Sequence, residues 1–210
     1  LGSFGALSTL SFHETKNCSC GEGGALIIND PALVERAEIL HAKGTNRSRF
    51  LRGQVDKYTW VDVGSSFGLS DLLAALLLGQ LEQRDVIQRH REEMYRRYLA
   101  ALSPLAEARG WQMPIIPAHC ASAFHMFAFL TRDLGARDRL IAECKANGVL
   151  AVFHYVPLHT SDMGERLGYR AGDLPVSEDV ASRLVRLPFY NTLASYDQWH
   201  VIDVVTGSVA

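Results

Sequence analysis

No apolar run in this chain approaches the roughly eighteen residues that a membrane-crossing helix needs. The opening residues also lack a basic stretch leading into an apolar segment and cleavage site, so the expected compartment is the cytoplasm. Charge of one sign is missing as well: 21 Lys and Arg stand against 23 Asp and Glu, a formal net charge of -2. That leaves no dense basic face for a phosphate polymer, and nucleic acid is excluded as the expected partner. Cysteine is scarce. Cys18, Cys20, Cys120 and Cys144 are too few and too scattered for a disulfide-stapled scaffold. Cys18 and Cys20 are separated by one residue, where a zinc knuckle needs two or more, and no second pair follows, so no metal is expected. Repeats and low-complexity tracts are also absent.

What is present is a chain of 210 residues, 48% hydrophobic, which suffices for one substantial core or two modest ones. It begins without methionine in an apolar, glycine-punctuated run, Leu1 to Phe12, and reads as a portion of a longer polypeptide. Ala25 to Ile28, closed by Asn29 and Asp30, has the pattern of a buried strand. A helix follows, with Asp30 as cap, Pro31 in the first turn, Leu33, Val34, Ala37 and Leu40 as the apolar stripe, and Gly44 as the left-handed close. Gly44 to Phe67 shows no sustained period and reads as a long ordered loop of the kind that serves function.

Ser70 and Asp71 open a helix whose Leu72, Leu73, Leu76 and Leu77 are expected to be mostly buried. The next helix, from about Arg84, carries the stripe Ile87, Met94, Tyr95, Tyr98 and Leu102, with the arginines at 84, 89, 91, 96 and 97 as its solvated face. Beyond Gly110 a compact alternation is expected: strand near Phe124 to Leu130, helix near Arg137 to Ala146, strand near Leu150 to Tyr155. Ser177 and Ser195 read as helix caps, the latter with Gln198 in a capping box. Residues 1–83 and 84–210 are thus expected to be separate domains, the second a small α/β one.

The stretch that carries chemistry is S-F-H-E-T-K-N, Ser11 to Asn17, followed by G-E-G-G, Gly21 to Gly24. A lysine between a strand end and a glycine loop has an anchored backbone and room for a flat ring beside it, as covalent attachment of a carbonyl compound requires. On spacing alone, the same pattern also produces a surface lysine in a turn. His13 reads as a turn residue of that loop. His154 and His159 lie five apart with no evident third ligand, which does not make a metal site.

Taken in order, S-F-H-E-T-K-N, G-E-G-G-A-L-I-I-N-D, K-G-T-N-R-S-R-F-L-R-G-Q-V-D-K-Y-T-W, G-S-S-F, A-A-L-L-L-G-Q-L-E, H-Y-V-P-L-H and R-L-P-F-Y resemble the DegT/DnrJ/StrS family of nucleotide-sugar aminotransferases almost end to end. The resemblance implies an α/β enzyme of the pyridoxal 5′-phosphate (PLP) aspartate aminotransferase-like fold, fold type I. Residues 1–83 then correspond to the C-terminal part of the large PLP-binding domain, with its interface loop, and 84–210 to the small α/β domain. Lys16 is implied to hold PLP as a Schiff base and to carry protons, and Ser11 to hydrogen-bond the PLP phosphate. Ser66 takes the position of an asparagine that reaches the neighbouring subunit's PLP phosphate across a homodimer interface.

The family's G-Y-N-Y-R pattern reads G-S-S-F-G here, with Gly68 in place of an arginine. Arg47 and Arg52 become the candidates for holding the donor carboxylate or the sugar phosphates, and each is equally a solvated loop charge. His154, Tyr155 and His159 resemble a small-domain segment that contacts the sugar nucleotide. The implied reaction moves an amino group from glutamate to C4 of a dTDP-4-keto-6-deoxy sugar, for cell-surface polysaccharide synthesis. The family places the ring-stacking aromatic and the aspartate that pairs with the pyridine nitrogen N-terminal to the residues present here. Two other readings stand beside this one: a different PLP reaction on a sugar, such as dehydration or deamination, with Lys16 counting against the dehydratases that carry a histidine there, and a non-catalytic dimerisation or binding fragment.

Overall fold

Leu7–Ser11 (β1) and Gly24–Ile28 (β2) pair as an antiparallel hairpin, from Leu7 opposite Ile28 to Ser11 opposite Gly24. This is the start of a computed structural model that describes residues 2–207. Leu1, where the expected opening run begins, and residues 208–210, the end of the expected second domain, lie outside the described residues. The chain divides into two compact units, one running to Arg84 and the other beginning at Asp85.

In the first unit the Asp30 carboxylate caps the next turn by accepting the Ala32 N–H at 2.9 Å, and Pro31–Leu33 form a 3-10 turn leading into Val34–His41 (α1). Lys43 and Gly44 then both turn left-handed, and the Gly44 N–H donates to the Ile39 carbonyl at 2.8 Å. Glycine is needed there for a second reason: a Cβ on Gly44 would stand 1.7 Å from the Asp62 carbonyl oxygen, because the returning segment at 60–66 crosses it. The expected loop from Gly44 to Phe67 contains one short helix, Arg47–Leu51 (α2). Asp71–Glu82 (α3) begins at Ser70, whose hydroxyl accepts the Leu73 N–H at 3.4 Å.

Two expectations fail in this unit. In the Ala25 to Ile28 strand Ala25 and Leu26 are exposed and Ile27 and Ile28 only partly buried, and Leu72 and Leu76 of α3 are 85% and 53% exposed. The apolar pattern is present in both, but no described element of the unit covers it.

The second unit has a core of its own. Arg84–Leu102 (α4) buries Met94, Tyr95, Tyr98 and Leu102, and Ile87 is partly buried. The short Ala106–Arg109 (α5) ends on left-handed Gly110. Ala128–Leu130 (β3) pairs antiparallel with Leu184–Arg186 (β4), and bridges at Gln112 to Leu130 and Val152 to Arg186 extend that layer on both sides. Leu134–Ala146 (α6), Asp162–Arg166 (α7), Pro175–Arg183 (α8) and Ser195–Thr206 (α9) complete the unit. Tyr98, Phe127, Phe129, Cys144, Val185 and Val205 meet in the core, and the surrounding desolvation pushes the Cys144 thiol up to about 11.

Several local expectations are corrected here. The strand expected from Phe124 is confined to Ala128–Leu130, because Phe124 sits at φ +44° with its carbonyl held by Arg91 at 2.8 Å. Leu150 to Tyr155 contributes one bridge, not a strand. Ser177 lies inside α8, and Ser195 is the first residue of α9 rather than its cap. Gln198 points into the core, donating to the Met94 carbonyl at 2.7 Å. Arg91 is no solvated charge: it is 4% exposed, donates to the carbonyls of Phe124 and His125 and to Asn191 Oδ1, and lies over the Phe189 ring. Arg97 is half-buried and donates to Gln198 Oε1 at 2.6 Å.

Candidate active site

Lys16 lies on the loop that joins β1 to β2. The hairpin ladder continues into this loop, with the Phe12 N–H donating to the Gly23 carbonyl and the Glu14 N–H to the Gly21 carbonyl, both at 2.8 Å. The Lys16 N–H closes a tight turn on the His13 carbonyl at 2.9 Å, and the Cys20 N–H returns to the Phe12 carbonyl at 3.0 Å. Cys20 fills the inside of the loop at 1% exposure, and a Cβ on Gly23 would come within 2.6 Å of its sulfur. The glycine-rich run after the lysine is therefore what allows the loop to close over a thiol. Cys18 Sγ also lies 4.0 Å from the Gln80 carbonyl of α3.

This pinned loop presents Lys16 outward. Its side chain is exposed and has no hydrogen bond or ion pair with any described residue. Ser11 is also exposed, at the end of β1, and its hydroxyl oxygen accepts the His13 N–H at 3.4 Å. His13 is occupied inside the turn: its Nδ1 lies 3.1 Å from Thr15 Oγ1 and accepts the Thr15 N–H at 3.3 Å. An uncommitted primary amine, a hydroxyl free to donate, and a backbone that does not yield are what the loop offers chemically.

The other candidates in the first unit lie on the segment following α1. Ser66 is exposed and bridges to Ala42 at the end of α1, so the crossing at Gly44 sets its place. Arg47 opens α2 and is exposed. Arg52 is engaged: its two terminal nitrogens donate to the two oxygens of Glu38 at 2.7 and 2.8 Å, which holds that carboxyl below its ordinary range. A ligand carboxylate at Arg52 has to displace Glu38. Among the described residues Arg47 has no such competitor.

In the second unit the three residues of H-Y-V-P-L-H part company. Tyr155 is exposed, and its ring meets that of His154 edge-on at 4.9 Å. His154 is half-buried with Nδ1 3.4 Å from an Arg186 terminal nitrogen, and burial followed by that positive charge lowers its pKa. His159 is turned inward at 6% exposure, with Nε2 2.8 Å from Glu178 of α8. Glu178 also accepts the Gly172 N–H at 2.7 Å, and it is held below the usual carboxylate range by His159 first and by that backbone donor second. His159 thus fastens the segment, while Tyr155 faces outward. Glu178 and Arg186 were not singled out from the sequence, although Arg186 opens the R-L-P-F-Y run.

The comparisons with known proteins concern the family and the fold. The sequence model of the DegT/DnrJ/EryC1/StrS aminotransferase family matches residues 1–206. The dTDP-3-amino-3,4,6-trideoxy-alpha-D-glucose transaminase of Streptomyces venezuelae is 28% identical over 207 residues, covering 98% of this chain and 51% of that protein. Among solved structures, a DegT DnrJ EryC1 StrS aminotransferase from Brucella abortus is 30% identical with a TM-score of 0.79, over 99% of this chain and 52% of that one. The aminotransferase TlmJ from Streptoalloteichus hindustanus is 28% identical with a TM-score of 0.84, over 98% and 52%. The chain spans about half the length of the relatives it matches. It has the corresponding part of the PLP-dependent fold type I architecture, and it belongs to the DegT/DnrJ/EryC1/StrS aminotransferase family.

Proposed function

We propose that the protein is a PLP-dependent sugar aminotransferase that moves an amino group from glutamate to C4 of a dTDP-4-keto-6-deoxy sugar. The product is dTDP-4-amino-4,6-dideoxygalactose, made in the cytoplasm for cell-surface polysaccharide, and the working form is a homodimer with a shared active site. The observation that carries this reading is the uncommitted Lys16 amine on a loop whose backbone is fixed on both sides. Family membership over nearly the whole chain supports it. The preference for a dTDP sugar draws support from the Streptomyces venezuelae relative, whose name specifies a dTDP-amino sugar. The preference for C4 rests on the motif set. The chain spans about half the length of the relatives it matches, so the whole activity is assigned to the full-length protein. Residues up to 83 are read as the end of its large domain, and 84–210 as its small one.

The residues present suit PLP, which carries an aldehyde and a phosphate on a flat ring. Lys16 Nζ is available to attach it, and Ser11 Oγ, accepting from His13, keeps its own hydrogen to donate to a phosphate oxygen. Ser66 Oγ is assigned the corresponding contact with the partner's coenzyme. When bound, PLP supplies the electron sink for breaking a bond at the substrate's amino-bearing carbon. Once released from attachment, the Lys16 amine takes the proton from Cα of glutamate and later returns one to C4 of the sugar. Tyr155 and His154 are assigned to the sugar nucleotide. His159, held by Glu178, fixes the segment that carries them.

The test uses the full-length protein with 15N-glutamate and a panel of dTDP-ketosugars. The reading expects 15N in the sugar product at C4, and no transfer by Lys16→Ala. Loss of water from the ketosugar without nitrogen transfer would point instead to another PLP reaction on the same fold.

A further inference from the structure

Among the described residues, Arg91, Arg97, Arg137, Arg183 and Arg186 are the arginines drawn in from the surface, all in the second unit. Four of them have oxygen acceptors. Arg91 has the Phe124 carbonyl, Arg97 has Gln198 Oε1, Arg137 has Asp138 and the Ala181 carbonyl, and Arg183 has Asp179 and the Thr131 carbonyl. Arg186 has none. Its Nε is buried without a hydrogen-bond partner, and among the described residues the side chain that hydrogen-bonds its guanidinium is His154, at 3.4 Å from Nη1 to Nδ1. A guanidinium only donates, so His154 Nδ1 must be the acceptor and the ring neutral. The result is a whole positive charge with no carboxylate of the described residues against it, at the edge where β4 bridges to Val152 and next to the exposed Tyr155.

A partly desolvated cation with an orphan donor is costly unless something completes it. Of the two candidates in the first unit, Arg52 already holds Glu38, and Arg47 is exposed on the surface, where water serves its donors. We propose that Arg186, with His154 beside it, is an oxyanion-binding subsite that takes a carboxylate or phosphate group. The planar fork of arginine suits both groups. The anion site stands on the geometry of Arg186. Its natural ligand rests on the aminotransferase reading, and is either the carboxylate of the amino donor or a phosphate of the sugar nucleotide.

The test follows the Arg186 Nε–H and His154 ring signals of the isotopically labelled chain by NMR. Inorganic phosphate and acetate are added separately, with chloride at equal ionic strength as reference. A saturable shift of the Arg186 signal with at least one of the two is expected. Saturation by phosphate alone assigns the subsite to the nucleotide, saturation by acetate alone to the donor, and saturation by both keeps the shared oxyanion chemistry. Arg186→Gln should weaken the binding, read on His154, by roughly tenfold or more, and Arg186→Lys should retain part of it. No saturable shift with either anion, or equal binding in Arg186→Gln, overturns the proposal. Neither readout involves PLP or turnover, so failure of the aminotransferase reading would leave this result standing.

Discussion

In the second unit Tyr98, Leu102, Phe127, Val185 and Val205 are fully shielded around one core, whereas in the first unit only Cys20 and Gly44 are buried among the described residues. Yet the first unit is not poor in apolar residues. Its α3 is apolar on nearly every side, and Leu72, Leu76, Leu78 and Leu81 are all exposed. A helix of that kind is suited to burial on several faces. The difference teaches that a pattern records which residues are fit for burial, and the neighbours present decide which are buried. The second unit supplies its own neighbours. The first does so only around its lysine loop and the crossing at Gly44.

The sharpest way to break this contrast is Phe127→Ala. Phe127 packs on Tyr95 and Tyr98, with ring centroids at 5.2 and 5.0 Å, and deleting it should cost about 3–5 kcal/mol. Urea unfolding followed by Trp111 fluorescence reads this, since Trp111 sits against Phe129 in the same core. An unchanged midpoint would mean that the core does not hold the unit. Arg91→Leu comes next, at about 2 kcal/mol, because it strands two carbonyls and Asn191 Oδ1 behind it. The same unfolding curve measures it, and Arg96→Leu, whose partner Glu92 is on the surface of α4, should be nearly silent.

The third prediction concerns pH. Glu178 is held below its ordinary pKa in the folded chain, so its contribution is present above the unfolded value of about 4.3 and fades as pH falls through the folded one. Glu178→Gln should lower the unfolding midpoint at pH 6, and the gap from the parent should shrink under acid. Parallel profiles at every pH would mean that the carboxylate contacts with His159 and Gly172 do not support the unit. The smallest effect belongs to the first unit: Leu72→Gln should change the stability of this chain by less than about 0.5 kcal/mol, since the side chain is already in water. A large loss on denaturation would show that α3 is covered after all.

Legibility in the sequence followed the reach of each interaction. The caps at Asp30 and Ser70 act over two and three residues, and both were readable. Ser195 carried the same local signal, but Arg97 and the core claimed the residues around it from about a hundred positions away. The strand expected from Phe124 was shortened by Arg91, which lies 33 residues earlier and looks like any other arginine on a charged helix. At the candidate site, the lysine loop was readable because strand, lysine and glycines are contiguous. The role of Cys20 in closing that loop needed coordinates, as did the inward turn of His159 and the pairing of Arg186 with His154 across 32 residues.

The chain has four lysines, at 16, 43, 57 and 145, which makes the most direct test a mapping experiment. The full-length protein is incubated with PLP, reduced with borohydride and digested, and the modified peptide is identified by mass spectrometry. The account predicts the phosphopyridoxyl group on Lys16 alone. Its appearance on Lys43, Lys57 or Lys145 with Lys16 unmodified would contradict it.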